Sequence, residues 1–225
     1  MIGENMFFKY GKAETDCLKQ RCPRLAHVIE HVGPIKRRVD RDLFSAVVHH
    51  IVGQQISTKA QATIWDRFEK GLLHVTPQTV VQAGLARVQG FGISFKKAEN
   101  ILDFAQKVQN NAFDLDALWH LPDAEVAQRL SSLKGVGVWT AEMLLLFCME
   151  RPDIFSYDDL ALQRGLRMLY HHRKITRPLF EKYRKRFSPY GSVASLYLWA
   201  VAGGAVPGLK DYAPAKKAPK PAKRK

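Results

Sequence analysis

The chain has 225 residues, with 35 Lys+Arg against 21 Asp+Glu and a formal net charge of +14; 46% hydrophobic and 25% charged residues are enough to build a core and exclude a disordered polymer. The three cysteines, Cys17, Cys22 and Cys148, lack CxxC spacing, which supports neither a disulfide framework nor a zinc site and cannot supply four thiolates for an iron–sulfur cluster. There is no signal-peptide pattern at the N-terminus and the longest apolar stretch, Met143 to Met149, is too short to span a bilayer, so the expectation is a soluble intracellular protein whose charge points first to nucleic acid and second to an anionic membrane surface.

Leu25, Val28, Ile29 and Val32 have the i, i+3, i+4, i+7 spacing of an amphipathic helix. Leu43, Val47 and Ile51 follow, with Asp40 or Asp42 before them as a cap. Gly53 reads as a helix end and Ser57 as the N-cap of a helix through Ile64 and Phe68. Thr76-Pro77 starts a short helix, with Pro at the first helical position. Ser94 caps a longer one carrying Ala98, Ile101, Leu102, Ala105 and Val108. Asp123 opens another, with Glu125 in its first turn, and it must end near Ser132. The runs 138–149, 159–171, 177–187 and 192–202 complete about ten helices. No segment alternates with period two and no repeat of fixed period is present, so the predicted fold is all-α with short connections. Residues 213–225 contain only Ala, Pro, Lys and Arg and are expected to be a disordered basic tail. The tail holds +6 of the +14, leaving about +8, expected to line the face around the hairpin described next.

The stretch Leu130-Ser-Ser-Leu-Lys-Gly-Val-Gly-Val-Trp-Thr-Ala141 joins two helices through Gly135-Val136-Gly137. Glycines allow positive φ and close approach of a ligand to the backbone. Val136 can plug the space between the helices. The N–H groups that open the second helix then point outward as an anion site, and a DNA phosphate is the natural anion for so basic a chain.

This string resembles the helix–hairpin–helix of the base-excision DNA glycosylases. The resemblance covers roughly residues 25–205. It implies two helical lobes with an active-site cleft between them: a lobe over 42–150 carrying the hairpin, and a second made of 1–41 plus 151–212 carrying a catalytic aspartate. The length is expected to leave no room for a further domain. DNA contacts would come from Lys134, Gly135, Val136, Gly137, Val138 and Thr140. The carbonyls of Ser131, Leu133 and Val136 would hold a monovalent cation, Na+ or K+, with no other cofactor required.

Downstream, Phe155-Ser-Tyr-Asp-Asp-Leu-Ala-Leu-Gln-Arg-Gly165 carries adjacent aspartates before an apolar-periodic run. One aspartate is explained as an N-cap; two in a basic protein are not. The resemblance picks Asp159 as the catalytic residue, with Asp158 as a cap or neighbour. A carboxylate near C1′ would stabilise the oxocarbenium-like charge of glycosidic cleavage and align or deprotonate water.

Family members that also cut the strand carry a lysine where this chain has Trp139, and an indole forms no Schiff base. Gly-x-Gly-x-Trp-Thr-Ala is closest to the 3-methyladenine DNA glycosylase II branch, whose aromatic cleft can prefer cationic bases. By that resemblance the base pocket comprises Trp139, Trp199, Met143 and Leu160, with Tyr157 beside them; Trp199 fits the core equally well. Val52-Gly-Gln-Gln-Ile-Ser57 resembles the segment carrying the intercalating wedge, with Gln55 as the wedge and Gln54 beside it. Lys96 and Lys97 open a lysine-bearing helix and fit either phosphate contacts or a solvated face.

The resulting expectation is a monomeric, monofunctional glycosylase acting on double-stranded DNA containing alkylated bases, 3-methyladenine foremost. It would be cytoplasmic and nucleoid-associated in a bacterium or nuclear in a eukaryote. The alternatives are a glycosylase for a deaminated or oxidised base, or a non-catalytic DNA-binding module. Asp159 argues against the last, because pure binding has no use for a carboxylate in a basic cleft.

Overall fold

The computed structural model describes residues 7–214. Among them the chain is all-α, with one isolated antiparallel bridge between Phe7 and Arg38. The helices are α1 (Lys12–Arg21), α2 (Pro23–Val32), α3 (Leu43–Gly53), α4 (Thr58–Leu72), α5 (Pro77–Gly90), α6 (Phe95–Gln109), α7 (Asp123–Ser131), α8 (Val138–Phe147), α9 (Leu160–Tyr170), α10 (Arg177–Phe187) and α11 (Gly191–Ala202). A 3₁₀ turn, Ala117–His120, lies between α6 and α7. No helix among the described residues is long and apolar enough to cross a membrane.

The starts are written in the sequence as caps. Asp42, Ser57, Thr76 and Ser94 each accept a backbone N–H from the first turn of the helix that follows. One element differs from expectation. Helix α1 has no apolar stripe, only Leu18 fully buried, so periodicity gave no sign of it. Helix α5 is kinked at Gly84, whose φ of 70° breaks the helical geometry and leaves the short first piece expected after Thr76-Pro77. The basic tail falls almost wholly on residues 215–225, outside the described residues.

The chain divides into two compact units, residues 1–9 with 36–154 and residues 10–35 with 155–225. These limits differ from the sequence reading at 1–9, 36–41 and 151–154, which it assigned to the second lobe, and agree with it over 10–35. Backbone hydrogen bonds explain the shift. Phe8 N donates to Arg37 O at 2.8 Å and Asp40 N to Phe147 O at 3.0 Å. Arg151 N donates to Leu145 O at 2.9 Å, and its guanidinium reaches Trp119 O, also at 2.9 Å.

In the first unit α3 is the central helix, packed by α4, α6 and α8. Its Val47, Val48, Ile51 and Val52 are fully buried, and Phe44 stacks on Phe104 of α6 with ring centroids 5.0 Å apart. His50 near its end is pushed down to about 4, first by burial and then by the neighbouring His49. The folded chain therefore refuses a proton that the unfolded chain takes up below about pH 6.5. In the second unit α11 is buried along almost its whole length and pairs with α9. The two approach so closely that a Cβ on Gly165 would overlap the Leu198 carbonyl.

Two outcomes follow. Gly165→Ala forces α9 and α11 apart and should cost about 3 kcal/mol, read as a lower denaturation midpoint in urea. Stability should also fall as the pH drops from 6.5 towards 4, and His50→Gln should flatten that dependence in pH-resolved thermal melts.

Candidate functional site

In the first unit, α7 ends at Ser131 and α8 begins at Val138. The turn between them is tied by Leu133 N to Leu130 O and Val136 N to Leu133 O, both at 3.1 Å. Gly135 takes a positive φ of 82°, but Gly137 does not: it is the N-cap of α8 at φ −91°. The two glycines serve different ends. Gly135 makes the turn, whereas the space where a Gly137 side chain would stand contains no atom within 4 Å. Val136 is buried between the helices, as the pattern predicts. No side chain caps α8 and no acidic residue lies in its first turn, so its N–H groups form an anion-accepting end. Val138 and Trp139 are exposed there, while Thr140 and Met143 are buried.

The neighbouring lysines are differently placed. Lys134 donates to Asp103 at 2.7 Å; that bond raises the lysine pKa, and Lys107 and Lys134 together hold Asp103 below the usual carboxylate range. Lys96 is exposed and pairs weakly with Glu99 at 3.5 Å. Lys97 is half-buried and turns inward: its ammonium donates to Val52 O at 2.8 Å and Gln54 O at 2.6 Å, a helix-end contact that was neither of the two roles weighed for it. Gln54 Nε2 donates to Gly135 O at 2.6 Å, joining the proposed wedge segment to the hairpin. Gln55 is exposed with φ 57°, an uncommon conformation for a residue with a side chain.

In the second unit, Asp159 is the N-cap of α9. The cap is thus the candidate catalytic residue itself and not Asp158. It is 6% exposed, and its Oδ1 accepts two donors, Leu162 N at 2.6 Å and Trp199 Nε1 at 3.0 Å. Trp199 is therefore neither plain core nor a bare stacking surface, since its indole N–H orients the carboxylate. Leu160 is 80% exposed. Tyr157 packs edge-on against Phe180, with ring centroids 5.2 Å apart, and carries Arg177 over its face at 4.7 Å. The Tyr157 carbonyl accepts Gln163 Nε2 at 2.6 Å, which closes the loop that presents Asp159. Arg177 and Lys97 were not anticipated in these roles; the Lys97-x-x-Asn100 spacing was visible, but nothing in the sequence marked Arg177.

The charge is not where it was expected. Residues 1–9 and 36–154, which include the hairpin, carry fifteen Lys+Arg and fourteen Asp+Glu. Residues 10–35 and 155–212 carry fourteen against seven. Seven of those cations lie between 173 and 187, all exposed, with Glu181 the one acid among them. The hairpin offers uncapped backbone N–H groups at a helix start, and the cationic surplus belongs to the unit that carries Asp159.

Comparison with known proteins agrees with this geometry. The profile described as HhH-GPD superfamily base excision DNA repair protein matches residues 48–189. A solved DNA-3-methyladenine glycosidase from Bacillus halodurans is 30% identical, with a TM-score of 0.78, covering 88% of this chain and 92% of that one. DNA-3-methyladenine glycosylase 1 of Schizosaccharomyces pombe is 25% identical over 187 residues, 81% of this chain and 82% of its own. A structure of a 3-methyladenine DNA glycosylase from the same organism, in complex with abasic DNA, shares the fold with a TM-score of 0.71 at 23% identity, covering 84% of this chain and 96% of that one.

Proposed function

From the premise that the chain belongs to the HhH-GPD superfamily of base excision DNA repair proteins, we propose that it is a monofunctional DNA glycosylase that removes alkylated bases, 3-methyladenine foremost, from duplex DNA. The observation that carries this reading is the carboxylate of Asp159, buried and pinned by two N–H donors on one oxygen.

The hairpin grips a phosphate through the N–H groups that open α8, and the open space at Gly137 admits it. Gln55 enters the stack where the flipped nucleotide was. Alkylation at a ring nitrogen leaves the base cationic, so the C1′–N bond breaks with its electron pair going to the base, which departs neutral. Positive charge develops on the sugar, and Asp159 faces it as a fixed anion. Water then bonds to C1′ and passes one proton to the Asp159 carboxylate, which returns it to solvent. Trp139 in the first unit and Trp199 in the second each offer a π-face that favours a cationic ring, and Met143, Leu160 and Tyr157 are the further residues read for the base.

Two observations support the absence of strand cleavage. Trp139 stands at the hairpin position where a Schiff-base lysine would be, and the lysine nearest to it in sequence, Lys134, is held protonated by Asp103. Ser131, Leu133 and Val136 would hold Na+ or K+ through their carbonyls. The Leu133 oxygen accepts one hydrogen bond and keeps a second lone pair, as hard-cation ligation requires. Such an ion would add positive charge beside the gripped phosphate.

Asp159→Asn should bind an abasic-site duplex as tightly as the parent chain yet release base at least about 100-fold more slowly. Retained excision would sink the mechanism. Product strands should break only after alkali; breakage without it would refute the monofunctional reading. Replacing Lys182 and Lys185 together by Gln should lower the salt slope of duplex binding by about 0.9 for each phosphate that the variant no longer neutralises. An unchanged slope would confine the phosphate grip to the hairpin.

A further inference from the structure

We propose that Lys97 is a positioning residue. Together with Asn100, three residues further along α6, it brackets the Gln54–Gln55 turn to the hairpin, so that wedge and phosphate grip act as one rigid piece. The inference rests on the glycosylase reading above.

The turn after α3 is held from three directions. From α6, the Lys97 ammonium binds the carbonyls of Val52 and Gln54, which flank Gly53. From α4, the Gln61 amide donates to His49 O at 3.0 Å and fills the space where a Gly53 side chain would lie. From the hairpin, Gly135 O accepts Gln54 Nε2. Asn100 then backs the same glycine: a Cβ on Gly135 would lie 2.5 Å from Asn100 Nδ2. Asn100 is 7% exposed and its Oδ1 has no hydrogen-bond partner among the described residues, a polar side chain kept inside the protein where it touches the hairpin.

This arrangement explains two features that packing does not. A lysine spends its charge on the carbonyl end of α3, where the helix dipole is negative, although burial lowers its pKa. A non-glycine residue, Gln55, takes a positive φ in the turn whose carbonyls Lys97 holds, an uncommon conformation for a residue with a side chain. The Gly92-Ile-Ser-Phe-Lys-Lys-Ala98 segment now has a purpose: Ser94 caps α6 and so fixes the register at which Lys97 and Asn100 face the two loops. With the loops coupled, closing the hairpin on a phosphate also aims Gln55 at the stack.

The test compares two substrates. One duplex carries the alkylated base in a normal pair. The other carries it unpaired in a single-nucleotide bulge, where flipping is largely done. Lys97→Met should slow excision from the pair about 10- to 100-fold and from the bulge by no more than about threefold. Gln55→Ala should give the same split, and the double variant should be no worse than the worse single one. Lys70→Met, the same charge loss on α4, should change neither rate. Equal losses on both substrates, or none, would overturn the proposal. Should Lys97→Met fail to fold, Gln54→Ala, which cuts only the link to the hairpin, must show the same pair-selective loss or the coupling is absent. If the parent chain excises nothing, the glycosylase reading fails separately. The bracket is then tested by 2-aminopurine fluorescence beside an abasic site, where Lys97→Met should abolish the change seen with the parent chain; an unaltered change overturns it.

Discussion

The carboxylate of Asp159 depends on how closely α9 and α11 approach. Two donors reach it, one from each helix: Leu162 N from the first turn of α9 and Trp199 Nε1 from the last turns of α11. Their convergence on one oxygen requires near-contact of the backbones, and Gly165 against Leu198 permits it. A buried acid held by two directional bonds has lost its rotational freedom before any substrate arrives. That prior ordering is what electrostatic stabilisation of a transient cation requires, because nothing need reorganise when the charge appears.

The two units answer the polyanion problem by different physics. The first is nearly balanced in charge and offers backbone dipoles at a helix start. The second has twice as many cations as acids. Backbone N–H groups fix position and orientation, whereas lysine and arginine side chains supply affinity that falls as salt rises. The polar links within the first unit belong to the positional side: lysine, asparagine and glutamine serve to hold loops in shape.

Much of the fold was legible. Caps at Ser57, Thr76 and Ser94, and one of the pair Asp40 and Asp42, placed helix starts because a short polar side chain before a helical run has few other uses. The hairpin was legible for the same local reason, and Val136 behaves as its position between glycines implies. What escaped depends on tertiary contact. Helix α1 carries too little apolar pattern to announce itself, and the limits of the two units follow hydrogen bonds between segments far apart in sequence. At the site, the family resemblance singled out Asp159, but the apolar run after it did not say which aspartate caps α9, and the bond to Trp199 joins residues forty apart. Lys97 looked like any exposed helix lysine, because only the folded chain brings the carbonyl end of α3 to it.

The cap at Asp159 has a consequence for what selection can act on. Asn, Ser and Asp cap a helix about equally well, so α9 would start as readily from a neutral residue. Folding requires an acceptor at this position but not a charge. Enclosing an ion at 6% exposure opposes folding unless its partners offset the loss of water. A lineage relieved of the need for the chemistry would be free to drift to the neutral amide while keeping the same helix, the same turn and the same indole bond. On the mechanism proposed above, the negative charge at position 159 serves the chemistry and the acceptor oxygen serves the fold.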